Sequence, residues 1–312
     1  MKVLVTGGAG FIGSHLVEGL VSSGCDVIVI DNLSVSDCNI SILKNLGASI
    51  NICNIANFDE IKGLFKGVDK VFHLAAMNRA QRSIENPLLA NEYNITGTLN
   101  VLEASKRAGV SMFINVSSSS VYAGVRDRLL SEDMPLLPPH PYGVGKLAGE
   151  HYARIYYELY GMQYVTLRYF SVYGPRQLGD IDKAGVIAKF IHSAFSNKPL
   201  TIYGNGEQKR NFTYVSDVCS LTIKAGETKE AIGKVINLAN PNEVSVNYLA
   251  DVIKKILGRN LKVEYLPPIS GDPKRNPADI SRLKEIFGFS PKVDFREGIE
   301  KTIDWYVEKL KI

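Results

Sequence analysis

The chain has 312 residues, 45% hydrophobic and 22% charged, with a net charge of +4. That balance predicts a soluble globular protein with one large domain and a smaller lobe, and the lack of a long Lys/Arg block argues against a nucleic-acid partner. The four cysteines (Cys25, Cys38, Cys53, Cys219) have no C-x-x-C spacing, which argues against a disulfide frame or a metal site, and no apolar stretch approaches the ~20 residues of a membrane span.

The first element carries the most information. Val3-Leu-Val5 reads as a buried parallel strand that stops at a glycine cluster and resumes as the helix start Phe11-Ile-Gly-Ser-His-Leu-Val17. In the pattern Gly7-x-x-Gly10-x-x-Gly13, the glycines allow a tight turn, close approach of a pyrophosphate, and close helix–strand packing. The helix N-terminus adds a positive dipole end for phosphate. The next strand, 26–30, ends in Asp31-Asn32, where an acid can accept from an adenosine ribose and repel a 2′-phosphate, favouring NAD over NADP. The bland reading of Asp31-Asn32 is a turn.

Further strands are expected at 48–52, 70–74, 112–117, 163–168 and 234–238, after a first at 2–6. Helices are expected at 11–23, 58–66, 86–108, 141–160, 184–196, 216–226, 246–257, 279–287 and 295–310. This alternation predicts a parallel sheet with helices on both faces and ligands beyond the carboxyl ends of the strands. The strand at 112–117 runs into Ser117-Ser-Ser-Ser120, hydroxyls suited to a sugar-like substrate. Tyr142-Gly-Val-Gly-Lys146 opens a helix, and i, i+4 spacing puts Tyr142 and Lys146 on one face. An ammonium near a phenol lowers its pKa from ~10, so the pair can serve as a general base and acid toward an alcohol. After about residue 174 the texture turns loop-rich.

Together, Gly7/Gly10/Gly13, Asp31, His73-Leu-Ala-Ala76, Asn94, Ser118 and Tyr142/Lys146 resemble the extended short-chain dehydrogenase/reductases. Leu167-Arg-Tyr-Phe-Ser-Val-Tyr-Gly-Pro-Arg-Gln177 and the stretch Gly204 to Asp217 are similar to the nucleotide-sugar epimerase branch, and the resemblance covers essentially the whole chain. It implies an α/β fold: a Rossmann-type doubly wound parallel sheet (1–174 and 214–240) with a smaller, discontinuous substrate lobe (175–213 and 241–312). It implies Ser118, Tyr142 and Lys146 as catalytic residues. NAD would be held by Gly7, Gly10, Phe11, Ile12, Gly13, Asp31, Asn32, Asn54, Ile55, Leu74, Ala75, Ala76, Asn94, Tyr142, Lys146 and Tyr169. Substrate would meet Ser118, Ser119, Tyr142, Ser171, Val186, Tyr203, Arg210, Asp272, Arg275 and Asn276, with Arg210 and Arg275 clamping the nucleotide diphosphate.

The implied reaction is 4-epimerisation of a UDP-hexose through a transient 4-keto sugar, with NAD regenerated in each cycle. Ser119 and Ser120 stand where relatives that lose water or carbon dioxide carry carboxylates, which argues against those activities. Asn54 replaces a frequent Asp and Ser171 a frequent Asn. The serines at 119, 120 and 171 leave a UDP-glucuronate 4-epimerase as the alternative, whereas Asn276 in place of a bulky gate implies room for an N-acetyl group. A dehydratase or net oxidoreductase on a nucleotide sugar, and a non-catalytic NAD-binding protein, are the other readings. The resemblance also implies a homodimer through segments 86–108 and 141–160; the chain opens on a strand with no signal peptide, so a cytoplasmic location is expected.

Overall fold

The computed structural model describes residues 1–125, 128–177, 185–268 and 277–310. In chain order the first half gives β1 (Lys2–Thr6), α1 (Phe11–Ser22), β2 (Asp26–Asp31), α2 (Ile40–Asn45), β3 (Ser49–Ile52), α3 (Phe58–Ile61), β4 (Lys70–His73), α4 (Ala80–Glu85), α5 (Pro87–Asn91), α6 (Gly97–Ala108), β5 (Met112–Ser118) and α7 (Pro141–Tyr160). The second half gives β6 (Gln163–Tyr169), β7 (Val172–Tyr173), α8 (Val186–Phe195), β8 (Leu200–Tyr203), β9 (Lys209–Arg210), β10 (Thr213–Tyr214), α9 (Val215–Ala225), β11 (Val235–Leu238), β12 (Val244–Ser245), α10 (Val246–Leu257), β13 (Val263–Leu266), α11 (Ser281–Phe287) and α12 (Phe295–Leu310).

Seven strands form one sheet in the order β11-β6-β5-β4-β1-β2-β3, every pairing parallel. The reversal between β1 and β4 is the switch point of a doubly wound Rossmann-type sheet, and a crevice opens there beyond the strand ends. The strands are apolar runs because both faces are covered. Leu16, Val17 and Leu20 of α1 pack with Val218 and Leu221 of α9 over one face, and Val101 and Leu102 of α6 pack with Ala153 and Tyr156 of α7 over the other.

A separate core gathers Phe190 and Ile191 of α8, Leu249 and Ile253 of α10, and Ile299 and Ile303 of α12 around β8. It is crossed by short strand pairs: β7 with β10, β9 with β12, and β8 with β13. These strands have two to four residues, too few for a period-2 pattern to emerge from the sequence.

Two expected helices differ in form. The helix at 58–66 is a single α-helical turn, Phe58–Ile61, followed by a 3-10 turn, Lys62–Phe65, that contains Gly63. The helix at 86–108 is α5 and α6 joined by a widened π turn, Glu92–Thr96, with α4 as a further piece before it. The π turn occurs where Asn94 turns inward: its Oδ1 accepts from Met77 N at 2.7 Å and its Nδ2 donates to Met77 O at 3.1 Å.

Candidate active site

A cleft of about 500 Å³ lies at the carboxyl ends of the strands. Its floor begins at the glycine turn. Gly7 N donates to Ile30 O at 2.7 Å, and Gly7 has φ +72°. A Cβ on Gly13 would lie 2.1 Å from Gly7 O, so only glycine lets α1 start this close to the turn. Asp31 ties the turn to β2: its carboxylate accepts from Ala9 N and Leu33 N, each at 2.9 Å. Burial pushes the Asp31 carboxyl above its ordinary range, opposed by these backbone N–H groups. The turn reading and the ligand reading of Asp31 are therefore compatible, since Asp31 also lines the cleft. This cradle, which any side chain would fill, together with an acid at the tip of β2, fits a dinucleotide.

The other end of the cleft is built by β5 and α7. Ser118 ends β5, and its Oγ accepts from Ser120 N at 3.1 Å, opening a 3-10 turn that carries Ser119 and Ser120 along the wall. His140 caps α7 by accepting from Gly143 N at 3.1 Å, and Pro141 sets the first helical turn. The two glycines inside Tyr142-x-x-x-Lys146 let α7 approach closely: a Cβ on Gly145 would lie 2.6 Å from Asn94 Cβ, and one on Gly143 2.8 Å from Ser120 O.

Lys146 is buried and donates from Nζ to Val116 O at 2.8 Å. Burial lowers its ammonium to about 8, partly offset by the Glu150 charge one turn on. Burial also pushes the Tyr142 phenol above its ordinary value, opposed by a hydrogen bond with Ser118 and by the Arg79 charge. Arg79 is thus a cation at the phenol that the sequence reading did not name. Beneath the site, Arg168 makes a two-pronged pair with Glu150 (Nη2–Oε2 2.6 Å, Nε–Oε1 2.9 Å), and the two side chains are 3% and 5% exposed.

Most expected cofactor residues line the cleft: Gly7, Gly10, Phe11, Ile12 and Gly13 from the turn, Asp31 and Asn32, Asn54 and Ile55, Leu74 to Ala76, and Tyr169. Asn54 also closes its own turn by accepting from Ala56 N at 3.0 Å. Ser171 lines the cleft at φ +37°, a left-handed conformation that asparagine holds more readily than serine.

Asn94 does not line the cleft; its amide is engaged with the Met77 backbone and so positions the loop after β4. Val186, Tyr203 and Arg210 stand on α8, β8 and β9 of the second core, outside the cleft lining. Asp272, Arg275 and Asn276 lie outside the described residues. The sequence reading missed Ser34 to Ser36 at the Asp31 end, and Arg79 and Gln177 at the Tyr142 end. Arg79 follows His73-Leu-Ala-Ala76 by three residues, the one signal that could have drawn attention to it.

The model of the NAD dependent epimerase/dehydratase family matches residues 3–239. A putative UDP-glucose 4-epimerase of Methanocaldococcus jannaschii is 36% identical over 308 residues, 97% of each chain. The crystal structure of a Thermotoga maritima UDP-glucose 4-epimerase with UDP-glucose superposes with a TM-score of 0.93 at 35% identity, covering 99% of this chain and 100% of that one. A Bacillus cereus UDP-glucuronic acid 4-epimerase in complex with UDP-glucuronic acid and NAD gives 0.91 at 36% identity, again covering 99% and 100%. With its glycine cradle, Asp31 and Tyr142/Lys146 set in one cleft, the chain belongs to the NAD-dependent epimerase/dehydratase family of enzymes.

Proposed function

We propose that the chain catalyses C4 epimerisation of a UDP-hexose through a transient 4-keto sugar. The observation that carries this reading is the meeting of Ser118, Tyr142 and Lys146 at one end of the cleft, where no described lining residue is a carboxylate. Among the described lining residues the one acid is Asp31, at the opposite end. Elimination of water or carbon dioxide calls for carboxylate acid–base groups next to the hydroxyl residue, and Ser119 and Ser120 occupy that ground.

When bound, NAD supplies a hydride acceptor and donor. The chain's own residues handle the proton and the geometry. Tyr142 Oη removes the 4-OH proton and later returns one to O4. Ser118 Oγ, in contact with Tyr142, holds the sugar hydroxyl in line. Lys146, anchored on Val116 O, holds the nicotinamide ribose and keeps a positive charge beneath the phenol. Phe11, Ile12, Asp31, Asn32, Asn54, Ile55, Leu74 to Ala76 and Tyr169 hold the dinucleotide. The lobe segments 175–213 and 241–312 bind the nucleotide of the substrate, with Arg210 and Arg275 at its diphosphate and Val186, Tyr203, Asp272 and Asn276 around it.

The chain acts as a homodimer in the cytoplasm. The dimer reading is supported by exposed apolar side chains on α5 and α7, Leu88 at 85% and Leu159 at 68% exposure. Among the described residues no helix is long and apolar enough to cross a membrane.

The test is product analysis of the purified protein, without added cofactor, on UDP-glucose, UDP-GlcNAc and UDP-glucuronate in separate reactions. A C4 epimer of unchanged mass supports the proposal. A product lighter by water or carbon dioxide, or none, refutes it.

A further inference from the structure

Arg79 brings a positive charge to the Tyr142 end of the cleft. It has a left-handed φ of +82°, uncommon for a side chain of this size. The surrounding structure fixes it in two ways. Asn94 clasps Met77, two residues before it. Helix α4 starts from Arg79, with Ser83 N donating to Arg79 O at 3.2 Å, and Ser83 Oγ in turn accepts from Tyr142 N at 3.0 Å. The backbone of Arg79 is thus tied, through one serine, to the backbone of Tyr142.

The guanidinium reaches across the cleft: a Cβ on Gly185, just before α8, would lie 3.5 Å from Arg79 Nη1. No hydrogen bond or ion pair among the described residues engages it. By contrast, Arg168 is paired with Glu150 and Arg176 with Glu18. At this end the described lining of the cleft carries the hydrogen-bonding groups of Ser118, Ser119, Ser120, Ser171 and Gln177 beside Tyr142 and Lys146.

We propose that Arg79 is a specificity residue that reads a carboxylate on the sugar, making a UDP-hexuronate the preferred substrate over a neutral UDP-hexose. This deepens the epimerase reading and rests on it. A neutral sugar filling this end would take water from the guanidinium and leave it unpaired, which is costly. A carboxylate matches its planar fork with two parallel hydrogen bonds and returns the lost charge compensation. Serine hydroxyls of the same lining can donate to the remaining carboxylate lone pairs. The competing anion is the nucleotide diphosphate, which every UDP-sugar carries.

The experiment uses purified holoenzyme, wild type, Arg79→Ala and Arg79→Lys. Binding of UDP-glucuronate, UDP-glucose and UDP is measured by calorimetry, and kcat/KM for the two sugars by product formation. The wild type is expected to favour UDP-glucuronate over UDP-glucose by about tenfold or more. In Arg79→Ala the ratio of the two is expected to fall by about 100-fold, as for truncation of one partner of a buried charge pair. Arg79→Lys keeps part of the preference, since charge remains without the fork. Loss of the cation also acts on Tyr142, but equally for both sugars, so it cancels in the ratio. A wild type with no preference for the uronate overturns the proposal. Equal weakening of UDP, UDP-glucose and UDP-glucuronate overturns it too, and assigns Arg79 to the diphosphate. Should Arg79→Ala fail to fold, the ratio in Arg79→Lys decides. Failure of the epimerase reading is separate: no sugar yields a C4 epimer, while calorimetry still decides whether Arg79 reads a carboxylate.

Discussion

Acidification is expected to weaken the fold through His73. This imidazole ends β4, is 1% exposed, and is held between Thr6 Oγ1 at 2.8 Å and Thr98 Oγ1 at 2.9 Å. Burial first, and the Lys146 charge second, lower its pKa from 6.5 to about 3. In the unfolded chain the ring takes up a proton below pH 6.5, whereas in the folded chain it stays neutral down to about 3. The unfolded state then binds more protons, so stability falls as pH falls through that window. Between about pH 7.5 and about pH 5 the loss from this one ring is about 2 kcal/mol, or a few °C in melting temperature for a chain of this size. The assay is urea denaturation of wild type and His73→Gln at both pH values. Other titrating groups contribute alike to both proteins, so the acid-induced loss should be about 2 kcal/mol smaller in the variant. An equal loss in the two proteins would refute the assignment of a neutral, inaccessible ring.

Three further substitutions test the site and its support. Tyr142→Phe should cut turnover by about 10²–10⁴-fold and leave NAD content unchanged, measured by product formation and by cofactor released on denaturation. Gly13→Ala should yield protein without bound NAD, or with a large drop in its affinity, because the added methyl falls 2.1 Å from Gly7 O. Glu150→Gln should destabilise the fold by about 3–5 kcal/mol in urea denaturation, since it leaves the Arg168 charge buried and unpaired. A change below ~1 kcal/mol would mean that the pair behaves like an exposed one. Glu150→Gln should also move the alkaline limb of the pH–rate profile to lower pH, because the Glu150 charge helps keep Lys146 protonated.

The sheet was legible because its strands are unbroken apolar runs ending in chemistry-bearing residues. Val3–Val5 leads to Gly7, Val27–Ile30 to Asp31, and Phe113–Val116 to Ser118. The glycine turn and the Tyr142/Lys146 pair were legible because each demands particular residue types at fixed spacing. What escaped depends on long-range geometry. The hold of the Asn94 amide on Met77, a partner 17 positions away, has no mark in the sequence. Arg79 escaped because nothing in residue type marks a left-handed arginine facing a tyrosine 63 positions on. Helical spacing marks Lys146 as a partner of Tyr142, but no spacing rule marks the Arg79 charge that also acts on the phenol. Strands of two residues such as β7, β9 and β10 exist only through their pairings.

The contact of Gly145 with Asn94 has a mechanical consequence. Met77, Asn94 and α7 interlock, so the loop leading to Arg79 and the helix carrying Tyr142 are both packed on Asn94. The opposite side of the cleft, from Gly185 onward, belongs to a different core. In an epimerisation the sugar must present both faces in turn to the same proton carrier. On the proposed reading, that carrier and the charge beside it are held through the same packed residue, so a change at position 94 or 145 is expected to disturb recognition and proton transfer at once.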